Sequence, residues 1–391
     1  MPKYLKKAFL IALLIRLLLL PYFAYPEDIF ETHNTSFLIL DNLRNIFNIR
    51  FSPLSHLIDA VFLFIFSPVW PEGLKSALQT QNYFYIPQIH RVLFFFKLPF
   101  LIFEFTAYII FYKFLAKQNV KKDKIKSIMM FLLFNPAVIY SVYIFSRFES
   151  YGFIFSFLIL IFLYRKSFSI ATILIFALAP FVREFFIIIL FGLILFSEFK
   201  VWQKIALLIL SYLPYPWYVF KTGIAETAID SYVKGGLGYY ILQPRFYYLP
   251  ERPIYLYFFI LFLLLTFLYL KSKSKAKFSQ AGFINLSIYY ALAYFHPQYF
   301  SWVLPFLAFF LVFENKDFNK LLKIAWVICF LFLAFPFSHA VTTFGPAFPV
   351  ANAFRFISLD KILPEVLLYS QIFQSIFRGV LISFTIYISL R

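Results

Sequence analysis

Apolar stretches about as long as a bilayer is thick recur along this chain, and they constrain its folding more than any other feature. A helix needs roughly 20 mainly apolar residues to cross the hydrocarbon. Twelve segments read as spans, several of them short: residues 5–23, 91–115, 127–145, 150–164, 168–181, 184–197, 203–220, 253–270, 278–295, 298–313, 321–337 and 365–388. Composition closes the soluble alternative. Of 391 residues 62% are hydrophobic and 14% charged, more apolar surface than a water-soluble domain of this size can hide. The expected fold class is therefore all-α: a polytopic membrane protein with about twelve transmembrane helices. No heptad, periodic repeat or low-complexity linker divides it, so residues 1–391 read as a single integral membrane domain.

The formal charge of +18 would suggest nucleic acid in a soluble protein. Here the excess follows the positive-inside pattern, and nucleic acid is set aside as a partner. Twenty of the 36 Lys and Arg residues fall in segments 1–7, 116–126, 165–166, 198–204, 271–277, 314–323 and the C-terminus, which alternate with the short turns near 146–149, 182–184 and 296–298. Those turns hold only Arg147 and Arg183. Lys3, Lys6 and Lys7 resemble the start of a signal peptide, but the apolar stretch that follows is long and Pro21-Tyr22-Phe23 lacks a small-residue cleavage pattern. The first span is read as uncleaved, with both termini cytoplasmic. One cysteine, Cys329, excludes an internal disulfide and a multi-cysteine metal site.

Three outer segments, 24–90, 221–252 and 338–363, are far longer than a helix turn requires, and loops of that size on a helical scaffold usually carry function. Within the first outer loop, 24–90, helix-period apolar stripes run from Thr35 to Phe47 and from Pro53 to Phe66. Both are too short or too polar to span, so they are expected to form amphipathic surface helices.

The candidate chemistry sits at the outer ends. Tyr25-Pro26-Glu27-Asp28-Ile29-Phe30-Glu31-Thr32-His33 places three carboxylates and a histidine directly after the first span. A hydroxyl acceptor attacking an activated sugar needs a carboxylate to take its proton. Asp28 is the first choice and Glu27 the second; the alternative is that these acids solvate a helix end or cap the next helix. Ser146-Arg147-Phe148-Glu149-Ser150 offers Arg147 to a phosphate, unless Arg147 and Glu149 pair with each other. Arg183, beside apolar walls, suits a bidentate phosphate contact, or snorkels to lipid headgroups. His296 could donate to a phosphate or sugar hydroxyl, or belong to the aromatic belt beside Tyr299 and Trp302. Arg355, in the last long outer segment, could assist an anionic donor, and Lys234-Gly235-Gly236-Leu237-Gly238 lacks the context of a phosphate loop. No metal-binding motif and no cofactor is expected. Lys97 and Glu104, seven residues apart on nearly one helix face, are the main charges inside a span and could pair with other helices.

Taken together, four sets of residues resemble the polytopic GT-C glycosyltransferases that use polyprenyl-phosphate sugars, including GPI mannosyltransferase I and its archaeal and bacterial relatives. These are Glu27-Asp28 after the first span with surface helices beyond it; Lys97-Leu98-Pro99 followed by Glu104; Asn135-Pro136 followed by Ser146-Arg147-Phe148-Glu149-Ser150; and His296-Pro297-Gln298-Tyr299 before an apolar run. The sequence departs from the family pattern at Arg147, Glu149 and Gln298. The resemblance implies an inverting, usually metal-independent transfer of a hexose, preferably mannose, from a polyprenyl- or dolichyl-phosphate sugar to a lipid-linked or glycan acceptor on the outer face. It implies Asp28 as the acceptor-activating base with Glu27 beside it, and Arg147, Glu149, Arg183 and His296 lining the cavity. A transporter or flippase for a lipid-linked sugar is the other reading, and would gather its polar groups near the bilayer midplane.

Overall fold

The computed structural model describes residues 1–49, 52–80, 86, 88–221, 245–249, 252–271, 276–292, 297–313, 317–334 and 364–390. Its elements in chain order are α1 (Lys3–Leu19), α2 (Pro26–Asp41), α3 (Pro53–Ile65), α4 (Leu74–Gln79), α5 (Ile89–Lys117), α6 (Lys122–Leu133), α7 (Pro136–Val138), α8 (Glu149–Tyr164), α9 (Ile170–Val182), α10 (Phe185–Leu195), α11 (Val201–Tyr212), α12 (Pro214–Lys221), β1 (Arg245–Leu249), β2 (Arg252–Tyr255), α13 (Leu256–Lys271), α14 (Lys277–Leu292), α15 (Leu304–Phe313), α16 (Phe318–Leu331) and α17 (Pro364–Ser389). The described residues are all-α apart from one antiparallel hairpin, in which Arg245 pairs with Tyr255 and Phe246 with Ile254.

Each of the twelve apolar segments contains a helix. Among the described residues, three helical segments are long and apolar enough to cross a membrane: Ile89–Lys117, Lys122–Ile144 and Ile372–Ser389. The other apolar helices run 10–17 residues. Within the second long segment the helix breaks at Asn135, which is extended, and restarts as α7: Asn135 Oδ1 caps the restart by accepting from Ala137 N at 2.9 Å and Val138 N at 3.4 Å, and a π-helical turn, Ile139–Ile144, then extends α7.

The outward faces are apolar where a soluble protein would be polar. Leu10, Leu14 and Leu18 on α1, Ile205 and Ile209 on α11, and Phe258, Phe259 and Phe262 on α13 are all exposed. A surface of this kind, with three helices of spanning length, marks a membrane-associated protein. The centre is α14, buried without interruption from Phe278 to Ala291, as expected of a helix surrounded by others. It packs against α10, α13, α15 and α17.

The interior charges are matched internally. Arg16 of α1 pairs with Glu104 of α5, Nη2 to Oε1 at 2.7 Å and Nε to the two carboxylate oxygens at 3.1 and 3.0 Å, and Tyr143 donates to the same carboxylate. Lys97 Nζ donates to three carbonyls: Leu19 O at 3.2 Å, Phe23 O at 2.6 Å and Tyr143 O at 3.1 Å. Lys97 and Glu104 thus each partner other segments.

The first outer loop forms α2, a 3-10 helix at Leu43–Asn48, α3 and α4. The expected helix from Thr35 to Phe47 is displaced. Helix α2 already starts at Pro26, whose fixed φ suits a first helical position, and stops at Asp41. There the Asn42 side chain accepts from Arg44 N at 3.0 Å and turns the chain into the 3-10 segment. Glu27 and Asp28 therefore occupy the first turn of a helix, where carboxylates are favoured by the dipole. Helix α3 falls where expected but faces inward with its polar side: Ser55, His56 and Asp59 are buried, whereas Val61, Phe64 and Ile65 are exposed.

Candidate functional site

The turn after the π-helical segment is drawn against the start of α2. Tyr25 N donates to Phe145 O at 3.0 Å, the two rings stack at 4.7 Å, and Ser146 Oγ donates to Phe23 O at 2.9 Å. Ser146 takes a left-handed conformation (φ 71°) that redirects the chain. As a result Arg147 points at α2, and its Nη2 lies 3.5 Å from Asp28 Oδ1. Its Nη1 donates to Tyr299 OH at 3.3 Å, and its buried Nε has no partner among the described residues.

Arg183 enters from the end of α9. Its Nη2 donates to Glu149 Oε1 at 2.9 Å and its Nη1 to Ser52 Oγ at 3.0 Å. The guanidinium lies 5.0 Å from the ring centroids of both Phe148 and Trp302. Trp302 Nε1 donates to the other oxygen of Glu149. Ser52 in turn donates to Glu184 Oε1, through Oγ at 2.8 Å and through its backbone N, and Ser55 Oγ donates to Val182 O at 2.7 Å. These contacts fasten the N-terminus of α3 to the corner between α9 and α10.

Arg147 and Glu149 do not pair with each other. The left-handed turn at Ser146 leaves Arg147 at a partly open position, while Glu149 begins α8 with its carboxylate wholly buried. Each finds its opposite charge on a different segment.

Between α2, α3 and these two arginines lies a cavity of about 560 Å³. Asp28, Glu31, Thr32 and Thr35 line one side, His56 and Phe148 the back, and Arg147 and Arg183 the other side. The expected residues Asp28, Arg147 and Arg183 meet at this one space, and Glu149 stands behind it, holding Arg183. The backbone of Glu27 belongs to the first turn of α2, but its side chain lies outside the described residues, as do His296 and Arg355 altogether. The glycine-containing segment 234–238 is outside them as well.

Burial works against the charge of Arg147, yet Asp28, Tyr299, Glu149 and Glu184 outweigh it and move its pKa upward. His56 goes the other way: burial first, then the nearby Arg147, pushes its imidazole down to about 3, so it is neutral at physiological pH. Its Nδ1 lies 3.3 Å from Ser36 Oγ. His33, expected among the acidic cluster, turns away from the cavity to stack on Phe96 at 3.7 Å, and burial lowers it to about 4. Behind α3, Asp59 accepts from Tyr151 OH and burial raises its carboxyl to about 8.

His56 was not among the sequence candidates. A polar series Ser52, Ser55, His56 and Asp59 at helical spacing was the available signal, but in isolation it reads as a solvated face. Among the described residues no group of three His, Cys, Asp or Glu side chains converges to hold a metal. The cavity combines two guanidinium groups, two carboxylates, two threonines and a neutral imidazole, a set able to hold an anionic group beside hydroxyls.

No family model matches the chain, and no curated protein and no solved structure matches it.

Proposed function

We propose that the chain is a multi-pass membrane glycosyltransferase that moves a hexose, mannose by preference, from a polyprenyl- or dolichyl-phosphate sugar to a lipid-linked or glycan acceptor. The observation that carries this reading is the cavity in which Asp28 and Glu31 face Arg147 and Arg183. In this proposal about twelve helices span the bilayer, the termini are cytoplasmic, α2 and α3 lie at the outer surface, and the cavity opens to that side.

The reaction is an inverting displacement. The acceptor hydroxyl oxygen attacks the anomeric carbon, the bond from that carbon to the phosphate oxygen breaks, and the hydroxyl proton passes to Asp28. Polyprenyl phosphate leaves, its growing charge met by Arg147 with Arg183 behind it. His56 and the threonines are placed to hydrogen-bond sugar hydroxyls. Glu27 and His296 keep the roles the family resemblance gives them, support of the base for Glu27 and donor and acceptor contacts for His296, and Arg355, from the last long outer segment, assists the anionic donor. The transporter reading draws less support, because the interior charges Arg16, Glu104 and Lys97 are sealed by their own partners.

The test is transfer of radiolabelled hexose from polyprenyl-phosphate hexose by the purified protein in liposomes. Asp28→Asn should lower the rate by about 10²–10⁴-fold, the usual contribution of a positioned base. If the wild type transfers to no lipid or glycan acceptor, and Asp28→Asn changes only binding or flux, the enzyme reading is wrong.

A further inference from the structure

Away from the cavity, α16 and α17 pack together but do not close along their whole length. A groove of about 620 Å³ remains between them, bounded by Lys320 and Ile324 on α16 and by Ile376, Gly379, Val380 and Tyr387 on α17. That volume lies within the range of sites that hold small ligands. Gly379 keeps it open: a Cβ placed there would meet no atom within 4 Å. The wall from Ile376 to Tyr387 is about 16 Å long at the helical rise of ~1.5 Å per residue. One leaflet contributes about half of the ~30 Å hydrocarbon thickness, so the groove matches a single acyl chain in length. The neighbouring Ile372, Phe373, Ile382 and Ile386 are exposed, which places the groove in a face built for lipid tails.

Between its ends the groove is lined by apolar side chains and by Ser383, whose hydroxyl is turned onto Gly379 O at 2.9 Å. Lys320 marks one end, with Tyr387 opposite. Lys323 is exposed one turn further along α16, and Lys124 Nζ sits 5.1 Å above the ring of Phe318. Among the described residues neither Lys320 nor Lys323 forms an ion pair. An apolar channel one leaflet deep, ending at a cluster of lysines, is complementary to a lipid whose headgroup is anionic.

We infer that this groove binds one acyl chain of an anionic phospholipid, with the lipid phosphate at Lys320. The site is separate from the proposed catalytic cavity and does not depend on the glycosyltransferase reading. A second copy of the chain is the competing occupant, since Gly379-x-x-x-Ser383 has the small-residue spacing of paired helices. A like-charged copy, however, supplies no anion for Lys320.

The full chain, purified in neutral detergent, would be titrated with phosphatidylglycerol or with phosphatidylcholine of identical acyl chains, and bound lipid counted by native mass spectrometry. One phosphatidylglycerol should bind roughly five-fold or more tightly than phosphatidylcholine, the ratio given by about 1 kcal/mol per lysine near an anionic headgroup. Lys320→Gln should erase that preference. Gly379→Leu places a better helix former in open space and should weaken binding of both lipids. Equal affinity for the two lipids in the wild type overturns the inference, as does unchanged binding by Gly379→Leu. A wild-type dimer that Gly379→Leu separates assigns the groove to a second copy instead. If Gly379→Leu fails to fold, retention or loss of the preference in Lys320→Gln decides.

Discussion

Arg183 is held through both terminal nitrogens and two aromatic rings, so its removal should reveal a coupled unit. Arg183→Met takes away the 2.9 Å bond to Glu149, the bond to Ser52, and the contacts with the Phe148 and Trp302 rings. It leaves Glu149 fully buried with Trp302 as its remaining donor. Breaking one side of a buried pair costs about 3–5 kcal/mol, because an uncompensated charge stays behind. Glu149→Gln is gentler. Its amide oxygen still accepts a hydrogen bond, Arg183 keeps Ser52, and the loss should be about 1.5–3 kcal/mol, that of a charge-assisted hydrogen bond. In the double variant Glu149 is no longer an orphaned carboxylate, while Glu184, 4.0 Å from Arg183, loses its cation just as it does in Arg183→Met, so the loss should fall below the sum of the two single losses by about 2 kcal/mol, within the range for contacting residues. The assay is unfolding of wild type, both single variants and the double variant in mixed micelles, with increasing sodium dodecyl sulfate, followed by tryptophan fluorescence. A coupling under about 0.5 kcal/mol, the ordinary scatter of independent sites, would refute the pairing that anchors the cavity.

Two further predictions concern protons on α3. The folded carboxyl of Asp59 is raised from its ordinary 3.8 to about 8, so the folded state binds more protons than the unfolded one across that window, and this group's contribution to stability declines as pH rises toward 8 and above. Asp59→Asn keeps an acceptor for Tyr151 and should flatten the decline; unfolding midpoints of variant and wild type that run parallel from pH 5 to 9 would contradict it. His56 is lowered from 6.5 to about 3, so its contribution is present above pH 6.5 and is lost as pH falls toward 3. His56→Gln should remove that acid-side loss, and a difference from wild type that stays constant between pH 7 and 4 would count against a neutral buried imidazole.

The helices were legible because apolar residues at membrane density leave few alternatives, and each of the twelve segments does contain one. What eluded sequence reasoning was partner choice. Arg147 and Glu149 are two residues apart, but the sign of φ at Ser146 decides that they part, and no local pattern encodes it. The acids at 27–31 could be placed at the end of the first span, whereas their membership of α2 depended on Pro26 acting as a starter and Asn42 as a stop. His56 was hidden for a different reason. On a helix whose apolar side faces outward, the polar residues are the buried ones, so the usual inference from polarity to exposure is reversed on α3. Asp28, Arg147 and Arg183 were accessible because isolated charges at the edges of apolar segments are costly, and so stand out.

The three carbonyls gathered by Lys97 have a consequence for how the molecule tolerates change. Leu19, Phe23 and Tyr143 belong to the end of α1, the strand of chain leading to Asp28, and the turn leading to Arg147. The three N–H donors of one side chain therefore act as a fixed gauge between the two halves of the cavity. In the proposed transfer, a displacement of about 1 Å in a reacting group can cost 10²-fold in rate, so the spacing of Asp28 and Arg147 is the quantity that reading requires not to drift. Lipid-facing residues on α1 and α5 should vary in size with little effect on that spacing, because this amine and the Tyr25–Phe145 and Ser146–Phe23 hydrogen bonds set it from inside.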